Sequence, residues 1–192
     1  MDKATSNGGR IAIDYTINYP HRVDGLILIG SGVSGRGTSG SEEDKLWQEL
    51  DRSMAPQEGL LKQGRLNESA EIDVNTWASA QNPQSRQRVM TIAVDNAQAQ
   101  IDNPWKYQVH PSPPGYKRLT EITIPTLVIV GDRDQPGMLL IAEDLHSKIP
   151  GSKKVVVEGA DHIVNMSKPE VFDKTALEFL SSMSKARDKL LA

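Results

Sequence analysis

Three short runs of this chain, residues 25–29, 126–130 and 154–157, are rich in Ile, Leu and Val without polar alternation, and each is closed by a glycine. Continuous apolar runs of that length read as parallel strands buried on both faces of a sheet. Helical patterns lie around them. Over residues 9–19, Ile11, Tyr15 and Tyr19 recur at every fourth position, and Pro20 ends the pattern. Residues 138–148 place Leu139, Leu140, Ala142 and Leu145 on the way to a turn at Pro150-Gly151. In the last stretch Phe172, Ala176, Phe179, Leu180 and Met183 recur at helical spacing, leaving Lys174, Glu178 and Ser182 for solvent. Strands alternating with helices give an α/β fold with right-handed crossovers.

The segment 41–114 interrupts the alternation and contains no convincing strand. Its pieces, 42–55, 56–66, 73–80 and 84–96, are polar and helical, with Pro56, Pro83 and Pro104 as punctuation. The expected organisation is therefore a first core part at 1–40, an inserted helical cap at 41–114 and a second core part at 115–192. All three tryptophans, Trp47, Trp77 and Trp105, fall in the insert. Either they line a pocket over the sheet edge or they only hold the insert to the sheet.

Composition narrows the chemistry. With 22 Lys+Arg against 25 Asp+Glu, the net charge is −3 and both signs are scattered, which recommends neither nucleic acid nor an acidic membrane as partner. The absence of cysteine excludes disulfides, thiol catalysis and thiolate metal ligands. Met1-Asp2-Lys3 opens no signal peptide and the apolar runs are too short to span a bilayer, so a cytoplasmic protein is expected. His21, His110 and His146 are isolated, and no spacing suggests a metal site. Gly30-Ser31-Gly32-Val33-Ser34-Gly35 matches a dinucleotide fingerprint, but Arg36-Gly37-Thr38-Ser39-Gly40 cannot open the helix that motif requires. No cofactor is expected.

The remaining signal is an ordered set of three turns. Ala4-Thr5-Ser6-Asn7-Gly8-Gly9 opens the first helical stretch, Gly131-Asp132-Arg133-Asp134 follows the second apolar run, and Gly159-Ala160-Asp161-His162 follows the third. Serine, acid and histidine in that order form a set able to do nucleophilic catalysis, in which histidine takes the serine proton and a carboxylate orients the imidazole. Small residues at Gly8 and Gly9 would let a helix N-terminus pack close to the serine turn. Asp132 is a rival to Asp134 from spacing alone.

These motifs, with Asp14-Tyr15, Tyr19-Pro20 and Arg22-Val23 ahead of the first run and Pro169-Glu170-Val171-Phe172 after the histidine, resemble the α/β-hydrolase superfamily, in particular its capped ester, lactone and C–C bond hydrolases. The resemblance implies Ser6 as nucleophile, Asp134 as acid, His162 as general base and the backbone N–H of Asn7 as an oxyanion donor. It implies a small-molecule substrate with an ester, lactone or related carbonyl. Epoxide hydrolases and dehalogenases, which use Asp at the elbow, fit less well. Where the family usually has Gly at the first small position, this chain has Ala4.

The resemblance starts at the elbow, so the expected fold is a truncated α/β-hydrolase of three C-terminal parallel strands with flanking helices and the inserted cap. Catalysis would then be impaired, because one oxyanion donor comes from a loop earlier in the family's sheet, and losing such a donor costs about 100- to 1,000-fold. The alternative is a non-catalytic interaction module or relic. In either case the unpaired side of run 25–29 would invite self-association or a partner chain.

Overall fold

The computed structural model describes residues 2–102 and 111–191; Trp105 and His110 lie outside them. Four parallel strands form one sheet in the order β1-β2-β3-β4: β1 Asp2–Thr5, β2 Leu26–Ile29, β3 Thr126–Gly131 and β4 Lys153–Val157. The three apolar runs are β2, β3 and β4. The sequence reading puts no strand ahead of Ser6, and here the structure differs. Residues 2–5 lack an apolar run, and their extended form is set by pairing with β2, where Asp2 lies opposite Leu26 and Thr5 opposite Ile29. The expected free edge of β2 is thus covered, and the unpaired side passes to β1.

Every residue of β2 and β3 is buried, as suits strands in the interior of a sheet. β4 is different: Val156 is 49% exposed, because β4 is the last strand of the sheet. Alternate residues of β2 serve two layers. Leu26 and Leu28 face helix α1 (Asn7–Asn18), helix α6 (Pro136–Lys148) and the 3-10 segment Gly115–Glu121. Ile27 and Ile29 face Ala176 and Phe179 of the last helix, α8 (Pro169–Leu191), which follows the short α7 (Val164–Ser167).

Helix α1 forms where the periodicity places it but buries another stripe. Ala12, Ile13, Thr16 and Ile17 are inside, while Ile11, Tyr15 and Tyr19 stay exposed. Ile13, Ile17, Leu26 and Leu28 are buried in one cluster with Leu119 of the 3-10 segment and with Ile122, which follows it. That segment carries no strong sequence period, so its role in closing the core is not legible from the pattern.

Among the described residues, four further helices lie between β2 and β3: α2 (Ser41–Met54), α3 (Pro56–Lys62), α4 (Leu66–Trp77) and α5 (Pro83–Asp102). Trp47 of α2 packs against Gly137 of α6; a Cβ on Gly137 would stand 2.4 Å from the indole. The loop leading into α2 is fixed by one ionic cluster. Arg36, with an 8% exposed side chain, pairs with Glu43 and donates to Asp144 of α6 at 2.6 Å. Glu43 also accepts from Ser39 (N–H at 2.9 Å, O–H at 2.6 Å) and from the Trp47 indole at 3.1 Å. For the Arg36 guanidinium, burial favours the neutral form, but Glu43 and Asp144 outweigh it and hold it more basic than usual.

The Arg36 hydrogen bond, helped by Ser39 and Trp47, lowers the Glu43 carboxyl from 4.5 to about 2, against the opposing effect of burial. A carboxyl lowered on folding stabilises the folded chain above its unfolded pKa, and that contribution is lost as pH falls through the folded pKa. The window here runs from about 4.5 down to about 2. Glu43→Gln should therefore lower unfolding free energy in urea titrations at neutral pH, and the deficit should shrink to less than half at pH about 3. An equal deficit at both pH values would contradict this.

Candidate active site

β1 ends at Thr5 and α1 begins at Asn7, so the chain reverses direction at Ser6 alone. Ser6 sits at φ 53° and ψ −120°. A non-glycine residue held in so sparsely populated a region costs of order 1–3 kcal/mol, and persists only where its surroundings over-determine it. Those surroundings are the residues after β2. The Ser6 N–H donates to the carbonyls of Ile29 (3.2 Å) and Gly30 (3.1 Å), and its own carbonyl accepts from Gly32 (3.1 Å) and Arg10 (3.3 Å). Gly9 is buried against Ser31, whose hydroxyl would stand 2.0 Å from any Cβ there. Asn7 opens α1, so its N–H belongs to the first turn, whose amides lack carbonyl partners within the helix.

His162 and Asp134 meet on the far side of Gly30. The imidazole Nδ1 lies 2.9 Å from Asp134 Oδ2 and 3.0 Å from Oδ1, with both residues buried. An ionised carboxylate only accepts, so Nδ1 is the donor in this pair and Nε2 is the ring nitrogen left for other partners. The Gln135 N–H donates to Asp134 Oδ1 at 2.7 Å. Asp132, the rival acid, instead accepts the Gly159 N–H at 2.7 Å and so ties the acid turn to the histidine turn. Gly30 has φ 47°, and a Cβ on it would stand 2.9 Å from His162 Nδ1 and 3.2 Å from Asp134 Oδ2.

Two cavities meet at Ser6. One, of about 500 Å³, is lined by Ser6, Asn7, Arg10, Arg36, Trp47 and Trp77 among others. The second, of about 610 Å³, is more apolar, with Val74, Ala78, Val89 and Ile163 beside Ser6, Asn7, Trp77 and His162. Ser6, Asn7 and Trp77 border both. Asp73 lines the second, and burial raises its carboxyl pKa. Trp77 packs its ring on His162, centroid to centroid 4.7 Å at 49°. Ser6, Asn7, His162, Trp47 and Trp77 thus border one connected pair of cavities.

Several residues at this site carry no signal in the sequence pattern. Gly30 reads only as a turn glycine, although a side chain there would collide with the His162–Asp134 pair. Asp161 is buried and bonds to Gln81, eighty positions away, a spacing that no local motif reports. Among the described residues, no group of three or more His, Cys, Asp or Glu could hold a metal ion, and no helix is long and apolar enough to cross a membrane.

Gly30→Ala should part the imidazole from the carboxylate, since both the positive φ and the 2.9 Å approach forbid a methyl group. The expected result is a folded chain, destabilised by about 1–3 kcal/mol, that has lost the downfield proton resonance of a carboxylate-bound imidazole N–H. Retention of that resonance in the variant would contradict the packing at Gly30.

A family model described as alpha/beta hydrolase fold matches residues 4–169. A protein of Bacillus subtilis (strain 168), provisionally named 2-succinyl-6-hydroxy-2,4-cyclohexadiene-1-carboxylate synthase, is 28% identical over 187 residues, covering 93% of this chain and 64% of its own length. Among solved structures, esterase RhEst1 from Rhodococcus sp. ECU1013 superposes with a TM-score of 0.71 at 20% identity, over 94% of this chain and 64% of that one. MenH from S. aureus gives 0.68 at 22% identity, over 94% and 67%. This chain therefore spans about two thirds of the length of the proteins it resembles. The family match runs from the turn that carries Ser6 to the start of α8, and the chain belongs to the alpha/beta hydrolase fold family.

Proposed function

We propose that this chain is a serine hydrolase acting on a small ester, lactone or related carbonyl compound. The observation that carries the reading is His162, held by Asp134 at 2.9 Å and bordering the same cavity as a serine on a strained strand-to-helix turn. In this reading Ser6 Oγ attacks the carbonyl carbon as its proton passes to Nε2 of His162. Asp134 holds the imidazole by Nδ1 and stabilises its charged form. The negative charge that builds on the carbonyl oxygen is met by the Asn7 N–H at the start of α1. Collapse breaks the ester bond and the imidazolium returns the proton to the leaving alcohol. Water, deprotonated by His162, then releases the acid and regenerates Ser6. Trp47 and Trp77 wall the space for the substrate. Hydrolytic chemistry fits the family and its esterase-named neighbour.

One feature favours a second reading, a non-catalytic interaction module of the same family. The outer side of β1 has no strand partner among the described residues, and Ile11 and Tyr15 of α1 and Tyr19 just after it are exposed. Self-association or a partner chain would cover that surface, since an unpaired strand edge is a template for another.

Hydrolysis of p-nitrophenyl acetate separates the readings. Ser6→Ala and His162→Ala should abolish turnover while leaving the melting transition in place. Asp134→Asn should lower kcat by about 10,000-fold, because an amide supports the wrong tautomer. Asp132→Asn, whose amide oxygen can still accept the Gly159 N–H, should retain near wild-type activity. Unchanged turnover in Ser6→Ala, or greater damage from Asp132→Asn than from Asp134→Asn, would defeat the assignment. A wild-type chain that is folded and inert would favour the interaction module.

A further inference from the structure

Trp77, the last residue of α4, reaches the His162 ring from a helix far away in sequence. Two attachments hold that end of α4. On one side Gln135, next to Asp134, donates its side-chain amide to the Thr76 carbonyl at 2.7 Å. On the other side Asp161, next to His162 and only 1% exposed, accepts the Ala80 N–H at 2.9 Å and the Gln81 amide at 2.8 and 3.0 Å. Asp161 also accepts the Ile163 N–H at 3.0 Å, which orders the turn carrying His162. Residues 76–81 are thus tied to the neighbour of each member of the His162–Asp134 pair.

We propose that Asp161 is a positioning residue that holds Trp77 on the His162 imidazole. A buried carboxylate bonded by several donors is stiff, because charge-assisted hydrogen bonds are roughly twice as strong as neutral ones. The indole face it positions attracts the imidazolium formed during proton transfer, a role that rests on the hydrolase reading above. Asp134, from the turn after β3, is bonded to the ring, and Asp73 of α4 borders the same cavity. Gly30, just after β2, lies close enough that a Cβ on it would meet the ring.

The test uses the full chain with Trp47→Phe and Trp105→Phe, which leaves Trp77 as the single tryptophan. Imidazolium quenches an indole in contact with it, so Trp77 emission should fall on acidification, in a step that His162→Ala removes. Asp161→Ala should lose most of that step and lower kcat for p-nitrophenyl acetate by about 100-fold with KM little changed, the cost of a misplaced group near the chemistry. Asp161→Asn should keep the step, because it retains a carbonyl acceptor and its amide can donate to Gln81 Oε1, which is buried without a partner among the described residues. Should Asp161→Ala fail to fold, Gln81→Ala takes its place and should lose most of the step too. An undiminished step in the folded variant, or no step in the parent chain, overturns the proposal. Loss of the step in a chain that hydrolyses no ester would uphold the positioning role and count against the hydrolase reading alone.

Discussion

The arrangement depends on one place where no side chain can be accommodated. Gly30, at the end of β2, lends its carbonyl to the Ser6 N–H and leaves its Cα side open to the imidazole of His162 and the carboxylate of Asp134. Three turns from three separate parts of the chain therefore converge on a single residue. A methyl group at that point would meet the ring at 2.9 Å, inside ordinary contact distance. Its left-handed backbone, φ 47°, adds a second reason for glycine. The strained conformation of Ser6 belongs to the same constraint, because its backbone bonds to Gly30 itself, to Ile29 before it and to Gly32 beyond it.

Around that point the sheet supplies rigidity and the inserted helices supply walls. β2 and β3, buried throughout, fix the spacing between the Ser6 turn and the acid turn. α2 is brought to α6 by the contact of Trp47 with Gly137 and by the Arg36 cluster. α4 is tied through Gln135 and Asp161. The tryptophans at the cavity walls are thus carried on helices whose seating is polar and specific, so the walls have defined positions. Under the hydrolase reading, such prior placement of groups is what would lower the barrier.

Much of this was legible in the chain. The runs at 25–29, 126–130 and 154–157 are strands because an apolar segment closed by glycine has few other stable fates, and the turns after the last two carry Asp134 and His162, which meet. The helices of the insert follow from proline punctuation and polarity. What escaped the reading is what lacks a local signature. β1 is an extended segment only because β2 offers it a ladder. On α1 the aromatic stripe drew attention, whereas the smaller residues Ala12 and Thr16, between the isoleucines, are the ones that fit against the sheet. The bonds from Asp161 to Gln81 and the seating of Trp77 on His162 join positions eighty or more apart, and no single-sequence period encodes such pairs. Burial separates Asp132 from Asp134 only once the fold is known.

The most direct measurement is covalent labelling of the wild-type chain with a fluorophosphonate, followed by digestion and mass mapping of the adduct. A hydroxyl activated by the His162–Asp134 pair should carry the phosphonyl group on the peptide containing Ser6, and the Asp134→Asn chain should label far more slowly. A folded chain that takes up no label, or one labelled at any residue other than Ser6, would contradict the account.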